Sequence, residues 1–404
     1  MMLVAGAPDC GQRCNKYSKL CLEVLNPFFV IVVDNLIYAH SQSQLVHPFE
    51  PMAKYSFHDD YSEGAHPMVL QALLDSNMVQ QPGYGTDDYC EDARAAIRKL
   101  LGGIDDAAIY FIPGGTGANL VSIASFLRPH EAVITVDRGH IVGKEGGAIE
   151  ATGHKIISVP GGKDGKLTSA LIQSAYEESI LFPWQPKMKM AFISNSTEIG
   201  TVYTKSELAD VAATCKKLGM WLLLDGARLG HALTCSKNDM TLQDIYHFTD
   251  IFWLGATKNG ALLGEAIVIK DPTFAADFRY HMKQRGMLLA KGRTLGIQFS
   301  ALLKNNLFFD LACHANTTAA EISSALVKLK YELWAETETN QVFAIFPGAL
   351  VTELNKSYEF FLWEPLPDGN CVVRFVTSWA TEQAQVDKFC DVVKQWTEMA
   401  RSKA

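Results

Sequence analysis

From about Tyr55 onward the chain repeats one texture: a short apolar run, a turn, a helical pattern and another apolar run. The runs predict strands over residues 109–112, 132–137, 155–159, 190–194, 221–225, 251–255 and 265–269, several of them apolar on both faces. Strands that alternate with helices build βαβ units, and strands without a polar face lie buried on both sides. The expected fold is therefore α/β, with a mostly parallel seven-stranded sheet. One crossover reads in full. Thr204 and Glu207 have capping-box spacing, Leu208, Val211, Ala212, Cys215 and Leu218 share a helix face, and Gly219 stops the helix before the strand at Trp221. After about residue 300, a long helix over 319–333, strand-like runs over 342–346, 358–363 and 371–377, and a closing helix over 381–400 predict a smaller α+β domain. The expected organisation is an N-terminal extension, 1–54, poorly ordered; a large domain, 55–300; and a small C-terminal domain, 301–404.

With 404 residues, 48% of them hydrophobic, the chain can bury a large core. A net charge of -8 without basic blocks argues against nucleic acid. Nine scattered cysteines with no repeated CxxC pair point to reduced thiols and to no zinc or other metal site. The apolar runs at 28–33 and 36–39 are broken and fall short of the roughly 20 residues of a membrane span, so no membrane association is expected. The extension reads either as a disordered segment of a cytoplasmic protein or as an organelle-targeting segment, one poor in Arg and Ser for a mitochondrial address.

Three groups carry chemistry. Lys258 lies in Gly255-Ala256-Thr257-Lys258-Asn259-Gly260 just past one apolar run, Asp225 closes another, and Pro113-Gly114-Gly115-Thr116-Gly117-Ala118-Asn119 follows a third. Ligands of parallel sheets bind at the carboxyl ends of the strands, so the three can meet on one ligand. The glycine turn offers backbone N–H groups and a helix N-terminus to an anion, or serves packing alone. It lacks the Gly-Lys-Ser/Thr of a nucleotide-binding loop. Asp225, a carboxylate in apolar company, needs a cation, which is either Arg228 in a plain salt bridge or a protonated pyridine nitrogen. Lys258 is either an exposed loop lysine or an amine whose lowered pKa suits covalent bonding to a carbonyl. Together they suggest a site for pyridoxal 5'-phosphate.

Over about residues 55–395 the chain resembles the low-specificity L-threonine aldolases of the β-eliminating lyase group, enzymes of the aspartate-aminotransferase fold (fold type I). The resemblance rests on Gly83-Tyr84-Gly85-Thr86-Asp87, Gly115-Thr116, Gly139-His140-Ile141, Asp225-Gly226-Ala227-Arg228, the Lys258 stretch and Arg374-Phe375-Val376-Thr377-Ser378-Trp379-Ala380-Thr381, in that order. It implies that Lys258 holds the cofactor, that Asp225 pairs with the pyridine nitrogen, and that Gly115, Thr116 and Gly117 cradle the phosphate with Arg293. It further implies that His140 stacks on the ring with Glu145 just behind, and that Arg228 and Arg374 grip the substrate's α-carboxylate with Tyr84 nearby. Two stretches depart from the family. Asn195-Ser196-Thr197-Glu198 stands where some members read Asn-Thr-His-Asn, and Phe57-His58-Asp59-Asp60 stands where many carry a serine.

The implied reaction is cleavage of L-threonine, L-allo-threonine and related β-hydroxy-α-amino acids to glycine and an aldehyde. His140, Glu145 through a water, or Lys258 is the base. The alternatives are β-elimination or racemisation of another amino acid, or a non-catalytic binding protein. The resemblance also implies a homodimer or homotetramer with shared active sites, the segments around Tyr84 and Arg293 crossing between subunits.

Overall fold

The computed structural model describes residues 24–25, 28–33, 36–41, 54–180 and 184–403. Residues 1–53 and 54–404 form separate compact units. In the first, β1 (Val24–Leu25), β2 (Phe28–Val33) and β3 (Leu36–Ser41) pair antiparallel in that order. The rest of the extension, with Cys10, Cys14 and Cys21, lies outside the described residues. Among the described residues no helix is long and apolar enough to cross a membrane.

The second unit opens with β4 (Tyr55–Ser56) and is organised by a seven-stranded sheet. Its members are β5 (Ala108–Ile112), β6 (Glu131–Val136), β7 (Lys155–Val159), β8 (Lys187–Ser194), β9 (Trp221–Asp225), β10 (Ile251–Gly255) and β11 (Glu265–Ile269), in the order β5-β11-β10-β9-β8-β6-β7. Only β11 runs antiparallel to its neighbours. The turn between β10 and β11 is too short for a crossover helix, so the chain must fold back on itself there. Lys258 sits in that turn. Side-chain alternation divides the core between the two faces of the sheet: Leu222, Leu224, Phe252 and Leu254 enter one cluster, Leu223, Ile251 and Trp253 the other.

The helix Lys205–Leu218 follows its sequence signals. Thr204 and Glu207 close a capping box, Leu208, Val211 and Cys215 are buried, and Gly219 ends the helix at φ 64°. The chain then enters β9 and reaches Asp225 at its end.

In the C-terminal part, β12 (Gln341–Pro347), β13 (Tyr358–Glu359), β14 (Phe361–Pro365) and β15 (Asn370–Val376) continue the chain. Three of these strands form an antiparallel sheet, β12-β15-β14, while β13 pairs with β4. Phe57 packs with Tyr358, Phe375 and Phe389 in the core here, so the segment after β4 belongs to this layer by contact. The long helix runs over Leu307–Lys328, starting twelve residues before the sequence suggested (319 − 307 = 12). Residues 314–318 include His, Asn and two Thr, weak helix formers, and burial of Phe308, Leu311, Ala312 and Ala315 overrides them. None of the described cysteines, Cys90, Cys215, Cys235, Cys313, Cys371 and Cys390, is in a disulfide.

Candidate active site

A cavity of about 320 Å³ opens at the carboxyl ends of the parallel strands, lined by Gly114, Gly115, Thr116, His140, Asp225, Arg228 and Lys258 among others. The ends of β9 and β10 approach so closely that a Cβ on Gly226 would stand 1.7 Å from the Trp253 carbonyl oxygen, and one on Gly255 2.7 Å from that of Ala227. These two glycines let the turns carrying Asp225 and Lys258 share one cavity.

Asp225 is 4% exposed. Its Oδ1 accepts from the Ala227 N–H at 2.9 Å and its Oδ2 from Asn119 Nδ2 at 2.9 Å. No described cation forms an ion pair with it: Arg228 bonds Asp60 instead, Nε to Oδ2 at 2.6 Å and Nη2 to Oδ1 at 3.0 Å. The Asp225–Arg228 salt bridge open to the sequence is thus replaced by a buried carboxylate awaiting a cation. Asn119 is the hub behind it. It accepts from Trp253 Nε1 at 3.0 Å and also donates to Glu145 Oε1 at 2.7 Å, to which His140 Nδ1 donates at 2.8 Å. With Nδ1–H held by a carboxylate, His140 keeps Nε2 as an acceptor.

Lys258 is half-buried, with its Nζ 5.9 Å from the centre of the Tyr61 ring. Desolvation and the charge of Arg228 lower its pKa against the pull of Asp60, Asp225 and Glu265. Glu265, buried beneath the turn, accepts from Thr257 Oγ1 at 2.7 Å and the Ala256 N–H at 3.2 Å, and burial pushes its carboxyl up to about 8. Its pull on the lysine offsets only part of the desolvation and the charge of Arg228. The result is an amine tuned toward its neutral, nucleophilic form.

Arg374, on β15, stands beside the cavity. Its Nε is buried without a partner, and its Nη2 donates only to the His58 carbonyl at 3.3 Å. Burial and the charge of Arg228 bring its guanidinium down to about 10. Such a group calls for an anion. Phe361 and Trp363 flank it at 5.1 and 5.7 Å.

Other predicted residues lie off the cavity wall. Glu145 sits behind His140 with a side chain closed to solvent. Gly117 faces Met287, whose sulfur a Cβ would meet at 2.9 Å. Arg293 donates to the Val79 carbonyl and, at 3.1 Å, to that of Asn77. Tyr84, at φ 59°, borders a separate cavity of about 300 Å³ with Arg94, Arg98 and Arg279. Sequence reasoning gave no individual role to Asn119, Lys144, Glu198, Trp253 or Glu265, all of which line the first cavity, and Asn119 also anchors its floor. The only local signal was polarity beside a motif, as at Lys144 between His140 and Glu145.

The family model described as beta-eliminating lyase matches residues 58–348. The chain belongs to the β-eliminating lyase family. Its relatives include low specificity L-threonine aldolases of a Pseudomonas species, 33% identical, and of Pseudomonas aeruginosa, 30% identical; each alignment spans 81% of this chain and 93% of the relative. A Leishmania major threonine aldolase structure is 45% identical with a TM-score of 0.83, covering 85% of this chain and 99% of that one. The aspartate aminotransferase of Thermus thermophilus shares the fold at 14% identity, with a TM-score of 0.63 over 85% of this chain and 91% of that one.

β-Eliminating lyases of this fold depend on pyridoxal phosphate, and the cavity fits it. Buried, cation-free Asp225 suits a protonated pyridine nitrogen. The uncapped N-terminus of the helix Gly115–Phe126, with Gly114, Gly115 and Thr116 on the wall, suits a phosphate. Lys258 offers an amine on the same wall.

Proposed function

We propose that the protein is a carbon–carbon lyase cleaving L-threonine, L-allo-threonine and related β-hydroxy-α-amino acids to glycine and an aldehyde. The observation that carries this reading is the convergence of Lys258, Asp225 and Arg228 on one cavity beside the unpaired Arg374 guanidinium. Bound pyridoxal phosphate supplies a pyridinium ring that takes up the electron pair released from the Cα–Cβ bond. Asp225 keeps that ring nitrogen protonated, Lys258 holds the cofactor, and Gly115 and Thr116 bind its phosphate. Arg374 takes the α-carboxylate with a bidentate fork, and Arg228, its Nε and Nη2 held by Asp60, contributes its remaining N–H groups. His140, fixed through Nδ1, stacks on the ring.

Gly117, Arg293 and Tyr84 act, in this reading, through a second subunit or through support of the first turn. A homodimer or homotetramer with shared sites would bring Tyr84 and Arg293 to a neighbour's cavity. The exposed apolar residues Met68, Leu74, Met78 and Val79 on the adjoining helix and loop support such an assembly. The cytoplasm is the proposed compartment, consistent with free thiols, and residues 1–54 are the segment to inspect for organelle import.

The test is incubation of purified, cofactor-loaded protein with L-threonine and β-phenylserine. Glycine with acetaldehyde or benzaldehyde is the expected outcome. 2-Oxobutyrate and ammonia from threonine without aldehyde release would turn the reading to β-elimination, and no product with either substrate would end it.

A further inference from the structure

Cleavage needs a base for the β-hydroxyl, and the family's second histidine is missing from this chain, with Thr197 in its place. Thr197 does not inherit the task. It is buried, its hydroxyl is joined to Thr201 Oγ1 at 2.7 Å, and it is not on the cavity wall. The next residue, Glu198, is on that wall.

Three carboxyls line the cavity: Asp225, Glu265 and Glu198. Both oxygens of Asp225 and both of Glu265 accept protein hydrogen bonds. Glu145 is shut off, its Oε2 buried without a partner. Glu198 differs from all of them. Its Oε1 accepts from Ser194 Oγ at 2.7 Å and from the His140 N–H at 3.0 Å, which fixes the side chain. Among the described residues both hydrogen bonds from other residues fall on Oε1; beyond them the carboxylate meets its own backbone N–H, and Oε2 is not among the sealed oxygens as Glu145 Oε2 is.

Resting on the aldolase reading above, we propose that Glu198 is the catalytic base of C–C cleavage, accepting the substrate's β-hydroxyl proton on Oε2. As that O–H bond breaks, its electron pair forms the aldehyde C=O, and the Cα–Cβ pair stays with the glycine fragment. The proton then leaves Glu198 to water, and the glycine fragment takes up a proton from water at Cα. The surroundings suit the role. Burial and the nearby charge of Asp225 raise the Glu198 pKa, the hydrogen bonds from Ser194 and from its own backbone N–H and the charge of His140 oppose the rise, and Lys144 and Arg228 also face it. A carboxyl moved toward neutral pH gives up its proton less readily than an ordinary glutamate and is a stronger base for a hydroxyl.

Glu198→Gln preserves size and an acceptor for Ser194 and His140 while removing the basic oxygen. Expected is a loss of about 10²–10⁴-fold in kcat on threonine, with pyridoxal phosphate absorbance and affinity as in wild type. Exchange of the glycine α-proton in deuterated water, followed by NMR, should continue, since glycine has no β-hydroxyl. Cleavage within about fivefold of wild type would overturn the proposal, as would parallel loss of cleavage and exchange or loss of cofactor binding. Should the Gln variant fail to fold, Glu198→Asp withdraws the carboxyl by one carbon; selective loss of cleavage supports the role and unchanged cleavage overturns it. Failure of wild-type protein to cleave threonine would instead remove the underlying aldolase reading.

Discussion

Asp60 and Arg228, separated by 168 positions, form a two-point ion pair at 2.6 and 3.0 Å in which the carboxylate is fully buried. Asn340 Nδ2 adds a bond to Asp60 Oδ2 at 2.9 Å and another to the Thr377 carbonyl at 2.8 Å. The segment after β4, the turn after β9 and the C-terminal sheet are thus joined at one side of the cavity.

Removing one partner of a buried pair leaves the other desolvated and uncompensated. Asp60→Ala should therefore cost about 3–5 kcal/mol of stability. Urea unfolding checks it, and a loss below about 1 kcal/mol would show that water readily replaces the carboxylate. The pH dependence has a definite sign. Burial raises the Asp60 pKa, but the charges of Arg228 and Lys258 outweigh it and hold the carboxyl well below the usual range. A lowered folded-state pKa gives stability above the unfolded value of about 3.9 that disappears as pH falls below it. The stability gap between wild type and Asp60→Asn should accordingly narrow below about pH 4.

Lys258→Ala should abolish the near-visible absorbance of lysine-bound cofactor and most activity. Borohydride reduction of wild type should label the Lys258 peptide alone; a label elsewhere would move the attachment site. Asp225→Ala should still bind some cofactor but turn over several orders of magnitude more slowly, if keeping the ring cationic is worth roughly 4–7 kcal/mol. Near-normal turnover would leave Asp225 with a packing role through Asn119.

Asp225 and Lys258 were legible as candidates because each follows a local apolar run: Leu222 to Leu224 lead to Asp225, Ile251 to Leu254 toward Lys258. The helix cap at Thr204 was legible for the same reason, its partners lying three residues apart. What the sequence hid is long-range. Nothing near Asp60 points to Arg228, and Asn119, one turn into its helix, meets Asp225 and Glu145 only after the sheet gathers the segments that follow β5, β9 and β6. Glu198 reads as a loop acid until the Ser194 hydroxyl and the His140 N–H hold it on the cavity wall.

Arg374→Lys keeps a charge but loses the planar fork. KM for threonine should rise with the cofactor spectrum unchanged, because the α-carboxylate changes from a two-point to a one-point contact. An unaltered KM, or loss of cofactor, would assign β15 and its arginine a different part.

Arg293 and Tyr84 give the last prediction. Arg293 is tied to the carbonyls of Asn77 and Val79, while the Tyr84 ring, 43% exposed, lies 4.6 Å from Lys283 Nζ. Both are away from their own chain's cavity wall, yet a positive-φ tyrosine between two glycines is a strained device for presenting one aromatic ring outward. In a closed oligomer the same segment of each subunit meets the equivalent site of its neighbour. If Arg293 completes the phosphate site of the next subunit, Lys258→Ala protein and Arg293→Ala protein, each inactive alone, should regain activity when mixed. In a hybrid dimer with two shared sites, one site then holds both substitutions and the other holds neither. Activity should approach one quarter of wild type per total subunit, since half the dimers are hybrids under random mixing and half the sites in each hybrid are intact. Hybrids verified by native mass spectrometry but lacking activity would show that each subunit completes its own cavity, and that Arg293 serves the loop at Asn77 and Val79 alone.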